Sequence, residues 1–184
     1  MGPLKDEERK HYTMVLMAHL RLGDVKFLEG SSGITLDLAA REVFWKEGLN
    51  YNHGTGHGVG FCLNVHERPN AIRYRKAPGR MEDVALSEGN ITSDEPGLYI
   101  EGSHGIRTEN LTLVEKWKTT EFGNFFRFSF ITMAPYDLDA IDFSMMEKHD
   151  IELLNDYHRT VYDKLSPYLD GKELQWLKDA TREV

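Results

Sequence analysis

The fold of this chain is decided by one stretch, HGTGHGVG at residues 53–60, together with NVHERP at residues 64–69. Its three histidines, His53, His57 and His66, are spaced among glycines. Glycine adopts positive φ readily and adds no side-chain bulk, so a glycine-rich segment is suited to hold imidazole rings at a cleft. Neutral imidazole is a common metal ligand and also titrates near neutral pH. The stretch therefore indicates a functional cleft, and the alternative is a glycine loop with incidental surface histidines.

Two glutamates further along the chain supply acidic groups for such a cleft. Glu95 stands in the turn signal SDEPG, and Glu109 stands in GIRTENLTLV, whose second half predicts a strand. On that strand Arg107, Glu109 and Leu111 would share one face, where a buried glutamate needs a partner. The partner is either a metal ion or Arg107 in a structural ion pair. A donor set of one histidine and two glutamates suits a divalent ion such as Mn²⁺.

These segments together resemble a known family. The motifs HGTGHGVG, NVHE, DEPG and GIRTEN, in this order, are similar to the Xaa-Pro aminopeptidase (aminopeptidase P) branch of the pita-bread metallopeptidases, family M24. The resemblance implies an α+β chain with a partial pita-bread (creatinase/aminopeptidase) fold, a curved antiparallel sheet covered by helices. It also implies that residues 1–120 form the C-terminal half of the catalytic domain. Residues 121–184 would be the helical C-terminal extension of the larger aminopeptidases P.

The resemblance implies which residues bind metal. In the family two metal ions are held by five side chains, in the chain order Asp, Asp, His, Glu, Glu. By position in the motifs, His57 is the histidine ligand and Glu95 is the first glutamate. Glu109 is the second glutamate, which bridges the two ions. The cofactor expected for the complete site is a pair of divalent ions, with Mn²⁺ the first choice.

The resemblance also implies catalytic roles. His53, His66 and Glu95 match the family's substrate-handling histidines and its catalytic glutamate, while Tyr99 and Arg107 match positions that hydrogen-bond around the ligands. Two metals sharing a water lower its pKa and hold the attacking and carbonyl oxygens. A glutamate beside that water passes its proton to the leaving nitrogen. The implied reaction releases the N-terminal residue from a peptide that has proline second.

One departure from the family pattern limits this expectation. The family's two aspartate ligands lie on an upstream hairpin, and this sequence begins just after that point. We therefore expect a truncated chain that lacks both aspartates and is inactive alone. Half a sheet would expose an edge and an apolar face, which favours a homodimer. The alternatives are a non-catalytic pita-bread binding or dimerisation module and a fragment of a prolidase-type dipeptidase.

Composition excludes several classes of protein. The net charge of −8 argues against general nucleic-acid binding. No apolar run approaches the roughly 18–20 residues of a membrane span. Cys62 is the one cysteine, so an intrachain disulfide is excluded, and we expect this residue to be buried in a strand. These features favour a cytoplasmic protein without membrane or nucleic-acid partners.

The periodicity of the sequence predicts the order of the elements. His19 falls within an apolar helical stripe and is expected to be packed rather than to bind metal. A basic segment at residues 68–80 is either a substrate-access loop or a solvated insertion. The predicted elements are helices over residues 4–29, 35–47 and 144–165, a last helix from residue 171, short strands between residues 53 and 114, and a strand over residues 125–131.

Overall fold

A computed structural model describes residues 3–62, 64–76 and 84–184. The chain divides into two compact units. The larger unit is Met14–Ile131, and the smaller one combines Met1–Thr13 with Thr132–Val184. The helices are α1 (Asp6–Gly23), α2 (Gly33–Leu36), α3 (Leu38–Trp45), α4 (Lys148–Leu165) and α5 (Gly171–Ala180), with 3₁₀ turns at Leu138–Ala140, Phe143–Met145 and Ser166–Tyr168.

The larger unit is built on antiparallel strands. Six of them form one sheet in the order β1-β8-β7-β4-β2-β3, and β5 pairs with β6 in a separate hairpin. The expected α+β architecture, an antiparallel sheet covered by helices, is confirmed. The strands are β1 (Lys26–Leu28), β2 (Gly56–Gly58), β3 (Glu67–Ile72), β4 (Ile91–Asp94), β5 (Gly97–Ile100), β6 (His104–Arg107), β7 (Asn110–Thr120) and β8 (Gly123–Phe130).

The core of the larger unit lies between the second half of α1 and the sheet. The His19 ring stacks on Phe130 of β8 with 4.9 Å between ring centroids, so this half of α1 rests on the sheet. Leu16 and Leu20 of the same helix are at most 1% exposed. A fully buried leucine contributes about 1.5–3 kcal/mol, so this apolar stripe is a main source of stability.

Three predicted helix boundaries are wrong. The helix expected over residues 4–29 ends at Gly23, because Lys26–Leu28 pairs with β8 instead. The helix expected over residues 35–47 begins at Gly33 and is divided into α2 and α3 at Asp37. The helix expected from Ser144 begins at Lys148, because Glu147 and Asp150 form a capping box there.

Two further expectations about local structure are wrong. Cys62 is exposed and has a φ of +55°, so it lies in a turn and not in a buried strand. The strand predicted in the second half of GIRTENLTLV is present as the start of β7 at Asn110, but Arg107 ends the separate strand β6, so the expected shared face of Arg107, Glu109 and Leu111 is wrong. Glu109 lies in the link between them and is exposed. It therefore does not share a continuous strand face with Arg107.

In the smaller unit several of the buried side chains come from α4 and α5. Leu154 and Val161 of α4 and Leu177 of α5 are completely buried. The Tyr157 hydroxyl lies 3.0 Å from the carbonyl oxygen of Thr132 and 2.9 Å from that of Ala134. These contacts hold the segment that carries Thr132 and Ala134 against α4.

The buried ring of His158 in α4 predicts a pH dependence of stability. Its Nε2 accepts a hydrogen bond from the Tyr136 backbone N–H at 3.0 Å. Burial, with a smaller effect from the Arg182 charge, lowers its pKa from 6.5 to about 4. Between these values the unfolded chain binds a proton that the folded chain does not. Stability should therefore fall as the pH drops from 6.5 to 4, by about 2 kcal/mol.

Urea unfolding at pH 7 and pH 4.5 measures this effect. His158→Gln keeps a hydrogen-bond acceptor but cannot be protonated, so we expect it to lose much of the pH dependence. His149→Gln is the matched control, since His149 lies on the same helix and is exposed. Equal pH dependence in the two variants would show that His158 does not cause it.

Candidate metal centre

His57 lies at the middle of β2, between two glycines that the packing of the sheet requires. A Cβ on Gly56 would lie 2.0 Å from the carbonyl oxygen of Ser93, and one on Gly58 would lie 2.4 Å from that of Glu67. Neither glycine has positive φ. The glycines beside His57 are thus needed for the close approach of neighbouring strands, and not for the conformational freedom that we expected.

Glu95 follows β4 directly and is the centre of the polar contacts. It is 7% exposed, and its Oε1 lies 2.8 Å from His57 Nε2. Ser93 Oγ donates to the same oxygen at 3.0 Å, and Arg107 Nη1 lies 3.0 Å from Oε2. Burial raises the pKa of Glu95, but the hydrogen bonds from His57 and Ser93 and the charges of His57 and Arg107 outweigh burial and lower it. Glu95 is therefore ionised at neutral pH.

The orientation of the His57 ring is fixed from its other nitrogen. Nδ1 lies 3.1 Å from the Gly58 carbonyl oxygen and can donate a hydrogen bond to it. In the neutral ring this leaves the lone pair of Nε2 facing the Glu95 carboxylate. Two acceptors repel each other unless a proton or a cation lies between them. The hydrogen bond to Glu95, and less strongly the Glu109 charge, raise the pKa of His57.

Glu109 is more exposed than the sequence predicted for a buried site residue. Arg107 forms its ion pair with Glu95, whereas the structural alternative paired it with Glu109. Glu109 contributes to the His57 electrostatics but is exposed. Among the residues that the structure describes, no three His, Cys, Asp or Glu side chains are grouped as a metal site. His57 and Glu95 are thus in contact, and Glu109 lies apart from them.

His53 is linked to Arg107 through Tyr99. Its ring centroid is 5.4 Å from that of Tyr99, whose hydroxyl accepts a hydrogen bond from Arg107 Nε at 2.9 Å. Nδ1 of His53 is 2.7 Å from the Gly54 carbonyl oxygen. Burial, with smaller effects from the Arg107 and Arg41 charges, lowers the pKa of His53. His53 is therefore neutral at pH 7, with its Nε2 available as an acceptor.

His66 completes the set of predicted residues. It is exposed, and its ring centroid lies 4.4 Å from that of His57. The structure therefore places six of the seven predicted site residues in one continuous series of contacts, in the order His53, Tyr99, Arg107, Glu95, His57 and His66.

Sequence reasoning missed a buried ion pair beneath the segment that carries His53. Arg41 and Asp37 are both fully buried, with Arg41 Nε 2.6 Å from Asp37 Oδ2. Arg41 also donates to the carbonyl oxygens of Tyr51, at 2.9 Å, and His53, at 3.3 Å. Thr55 Oγ1 donates to Asp37 Oδ1 at 2.5 Å. An Asp and an Arg four residues apart on a helix normally indicate an exposed pair, so this buried role could not be predicted from the spacing.

A second missed contact lies directly behind Glu95. His19 Nδ1 is 3.3 Å from Asp94 Oδ2, and both side chains are at most 1% exposed. Burial raises the pKa of Asp94, while the neighbouring His19 lowers it. The expectation that His19 is packed and is not a ligand of the candidate centre agrees with this position. Its partner could not be found from the sequence, because Asp94 is far along the chain.

The chain is similar to one metallopeptidase family over most of its length. Residues 1–116 match metallopeptidase family M24, and residues 124–184 match the C-terminal region of peptidase M24. A probable Xaa-Pro aminopeptidase P of Pyrenophora teres f. teres is 44% identical over an alignment of 179 positions, and the match covers 95% of this chain and 27% of that protein.

Solved structures show the same relationship. An X-prolyl aminopeptidase from Caenorhabditis elegans, described as a cytosolic enzyme with a di-nuclear active site, matches with a TM-score of 0.88 and 34% identity. The match covers 99% of this chain and 29% of that one. An Xaa-Pro dipeptidase from Bacillus anthracis matches with a TM-score of 0.58 and 31% identity, over 75% of this chain and 34% of that one. The pita-bread fold expected from the sequence is confirmed.

The chain spans about a third or less of the length of these relatives. Within the described ranges, no helix combines the length and apolar character that crossing a membrane requires.

Proposed function

The chain belongs to metallopeptidase family M24, and from this premise we propose that it carries the histidine and glutamate part of a divalent-metal centre for Xaa-Pro aminopeptidase chemistry. The reaction is the hydrolytic release of the N-terminal residue from a peptide with proline second. The observation that carries the proposal is the 2.8 Å separation of His57 Nε2 and Glu95 Oε1.

This separation fits two ligands of one ion. One divalent ion would be held by the imidazole nitrogen of His57 and the carboxylate of Glu95 together, since both are donors that such ions accept. The hydrogen bond from Nδ1 of His57 to Gly58 leaves Nε2 as the coordinating nitrogen. A cation between the two groups would also remove the repulsion between the imidazole lone pair and the carboxylate. We propose His57, Glu95 and Glu109 as the ligands that this chain contributes.

The surrounding residues have separate roles in this proposal. A bound divalent ion supplies a water of lowered pKa and polarises the scissile carbonyl. Glu95 accepts and returns the proton that passes to the leaving nitrogen. Arg107 and Tyr99 hold the Glu95 carboxylate in its orientation, since Arg107 contacts both groups. His53 and His66 contact the peptide from opposite ends of the series.

Aminopeptidase activity is preferred over the prolidase alternative. The probable Xaa-Pro aminopeptidase P of Pyrenophora teres f. teres is 44% identical to this chain, whereas the Bacillus anthracis dipeptidase is 31% identical. The non-catalytic alternative is favoured by one observation, namely that the described residues contain no group of three potential ligands. A measurement of metal binding distinguishes the two alternatives, because the catalytic proposal requires a bound divalent ion and the non-catalytic one does not.

We expect the isolated chain to bind at most one Mn²⁺ and to cleave Ala-Pro-Ala very slowly or not at all. Calorimetric titration measures the first quantity and release of free alanine the second. Glu95→Gln should weaken metal binding by about 100-fold, since replacing groups around a metal already costs about 10–100-fold. Glu101→Gln, an exposed substitution on the β5–β6 hairpin, should leave it unchanged. Unaltered Mn²⁺ binding in Glu95→Gln would refute the proposed ligand set.

Three further features belong to the same proposal. Manganese is the proposed ion, because oxygen ligands predominate in the set. A cytosolic location is supported by the description of the Caenorhabditis elegans enzyme. The division into a catalytic half at residues 1–120 and an extension at residues 121–184 is supported by the two family regions that match.

A homodimer is proposed from the sheet edges. Strands β1 and β3 are the outer strands of the six-stranded sheet, and outer strands present unpaired backbone groups. Static light scattering should give twice the mass of one chain at high concentration. A monomer mass under those conditions would rule the homodimer out.

A further inference from the structure

A buried hydroxyl group, that of Ser93, joins the two proposed ligands that are in contact. Ser93 lies in β4, two residues before Glu95, and is completely buried. Its Oγ accepts a hydrogen bond from the backbone N–H of His57 at 3.0 Å and lies 3.0 Å from Glu95 Oε1. One hydroxyl thus contacts the main chain of one proposed ligand and the carboxylate of the other.

The hydrogen of the Ser93 hydroxyl has two acceptors within reach. They are Glu95 Oε1 at 3.0 Å and the His57 carbonyl oxygen at 3.4 Å. A serine hydroxyl donates one hydrogen and accepts through its lone pairs at the same time. Hydrogen bonds to an ionised carboxylate are shorter and stronger than those between neutral groups. Ser93 therefore donates to Glu95 while its oxygen accepts the N–H of His57.

The pairing of β2 with β4 brings the hydroxyl to this position. The two strands pair at Gly58 and Thr92, and the N–H of His57 is directed at the Ser93 side chain. Thr92 is the neighbouring buried hydroxyl, and its Oγ1 donates to the His57 carbonyl oxygen at 2.9 Å. Both polar backbone groups of His57 are thus bonded to side chains of β4. Of these two side chains, Ser93 is the one that extends the contact to Glu95.

The two oxygens of the Glu95 carboxylate are held by different donors. Oε1 receives the Ser93 hydroxyl and lies 2.8 Å from His57 Nε2, while Oε2 lies 3.0 Å from Arg107 Nη1. The last torsion of a glutamate side chain is broad, so its orientation depends on such contacts. The Arg107 side chain is 41% exposed, whereas Ser93 is buried. Ser93 is therefore the more restricted donor, and it acts on the oxygen that faces His57.

We infer that Ser93 is a positioning residue, which orients the Glu95 carboxylate so that Oε1 and His57 Nε2 can bind one divalent ion. This inference rests on the proposed function, because that function makes the two groups ligands of a shared ion. A carboxylate oxygen has more than one lone pair, so Oε1 can keep the hydrogen bond from Ser93 while it binds an ion. Donors behind metal ligands fix the orientation of those ligands.

Calorimetric titration of three variants with Mn²⁺ tests this role. Ser93→Ala removes the hydroxyl, and Ser93→Thr keeps one at the same position. Thr112→Val is the control, since Thr112 is also buried in the sheet and its Oγ1 donates to the Thr92 carbonyl oxygen at 2.9 Å. Urea unfolding of the metal-free proteins measures the structural cost of each substitution.

We expect Ser93→Ala to bind Mn²⁺ about tenfold more weakly than the unaltered chain, the lower end of the effect typical of groups behind metal ligands. Ser93→Thr should recover most of the affinity, and Thr112→Val should keep all of it. Ser93→Ala and Thr112→Val should both unfold at a lower urea concentration, since each loses a buried hydrogen bond. A merely structural role for Ser93 would make these two variants alike in both measurements.

Unchanged Mn²⁺ affinity in Ser93→Ala, an equal loss of affinity in Thr112→Val, or no recovery in a folded Ser93→Thr would each overturn the inference. The proposed metal centre would survive these outcomes, because the unaltered chain would still bind Mn²⁺. If the unaltered chain binds no Mn²⁺, the metal centre and the role of Ser93 both fail. If the added methyl group of Ser93→Thr prevents folding, the comparison of Ser93→Ala with Thr112→Val decides the outcome.

Discussion

Arg41→Met should lower the free energy of unfolding by about 3–5 kcal/mol, the cost typical of removing one partner from a buried ion pair. Arg41 and Asp37 are both completely buried. Without the guanidinium group, the buried Asp37 carboxylate would keep the hydrogen bond from Thr55 but lose the positive charge that balances it. Urea unfolding monitored by tryptophan fluorescence measures the loss.

The same helix region supplies a matched control. Lys46 pairs with Glu42 at 3.2 Å with the same four-residue spacing, but both side chains are more than half exposed. Lys46→Met should change stability by at most about 0.5 kcal/mol. Similar losses in Arg41→Met and Lys46→Met would show that burial of the Arg41 pair is not the cause.

A double variant separates the charge from the packing. Asp37→Leu/Arg41→Met removes both buried charges, so it should recover much of the stability lost in Arg41→Met. It should not restore the order of the segment from Tyr51 to His53, because the hydrogen bonds to those two carbonyl oxygens remain absent. Recovery of stability without recovery of peptide binding would identify Arg41 as a residue that positions His53.

Gly56→Ala should destabilise the larger unit by about 3 kcal/mol or more, because overpacking against a rigid backbone cannot be relieved by a rotamer change. The new Cβ would lie 2.0 Å from the Ser93 carbonyl oxygen. Ser93 accepts the His57 backbone N–H at 3.0 Å and donates to Glu95. Any shift that relieves the contact therefore also moves His57 relative to Glu95, so Mn²⁺ binding should weaken together with stability.

Gly60→Ala is the control for this prediction. Its Cβ would also meet another atom, Glu67 Oε2 at 2.2 Å, but that atom is the end of an exposed and flexible side chain. We expect a loss of less than about 1 kcal/mol for Gly60→Ala. If the two alanine variants unfold at the same urea concentration, the backbone contact at Gly56 is not the cause of the requirement for glycine.

Residue type and chain order alone predicted a set of site residues, six of which the structure brings into one series of contacts. His53, His57 and Glu95 were selected because imidazole and carboxylate groups stand in short motifs with restricted local geometry. The resemblance to the family implied the α+β class, whereas the strand near residues 125–131 was predicted from the alternation of side chains, since period-two patterns depend only on neighbouring residues. Such local features do not require knowledge of distant contacts.

Local patterns failed where a distant residue decided the outcome. The helix expected to reach residue 29 ends at Gly23, because Lys26–Leu28 pairs instead with β8, which lies about 100 positions further along the chain. Arg107 pairs with Glu95, and Glu109 lies in an exposed link, because β6 and β7 are separate strands.

The sequence alone established the family, the fold class and the residues that could carry chemistry, because these depend on residue identity and order. Only the tertiary structure decided which of those residues meet. It placed the cationic residues 73–76 beside His53 and buried Arg41 beneath the same segment. Both arrangements depend on long-range burial and backbone approach, which determine the local dielectric and the space available to each side chain.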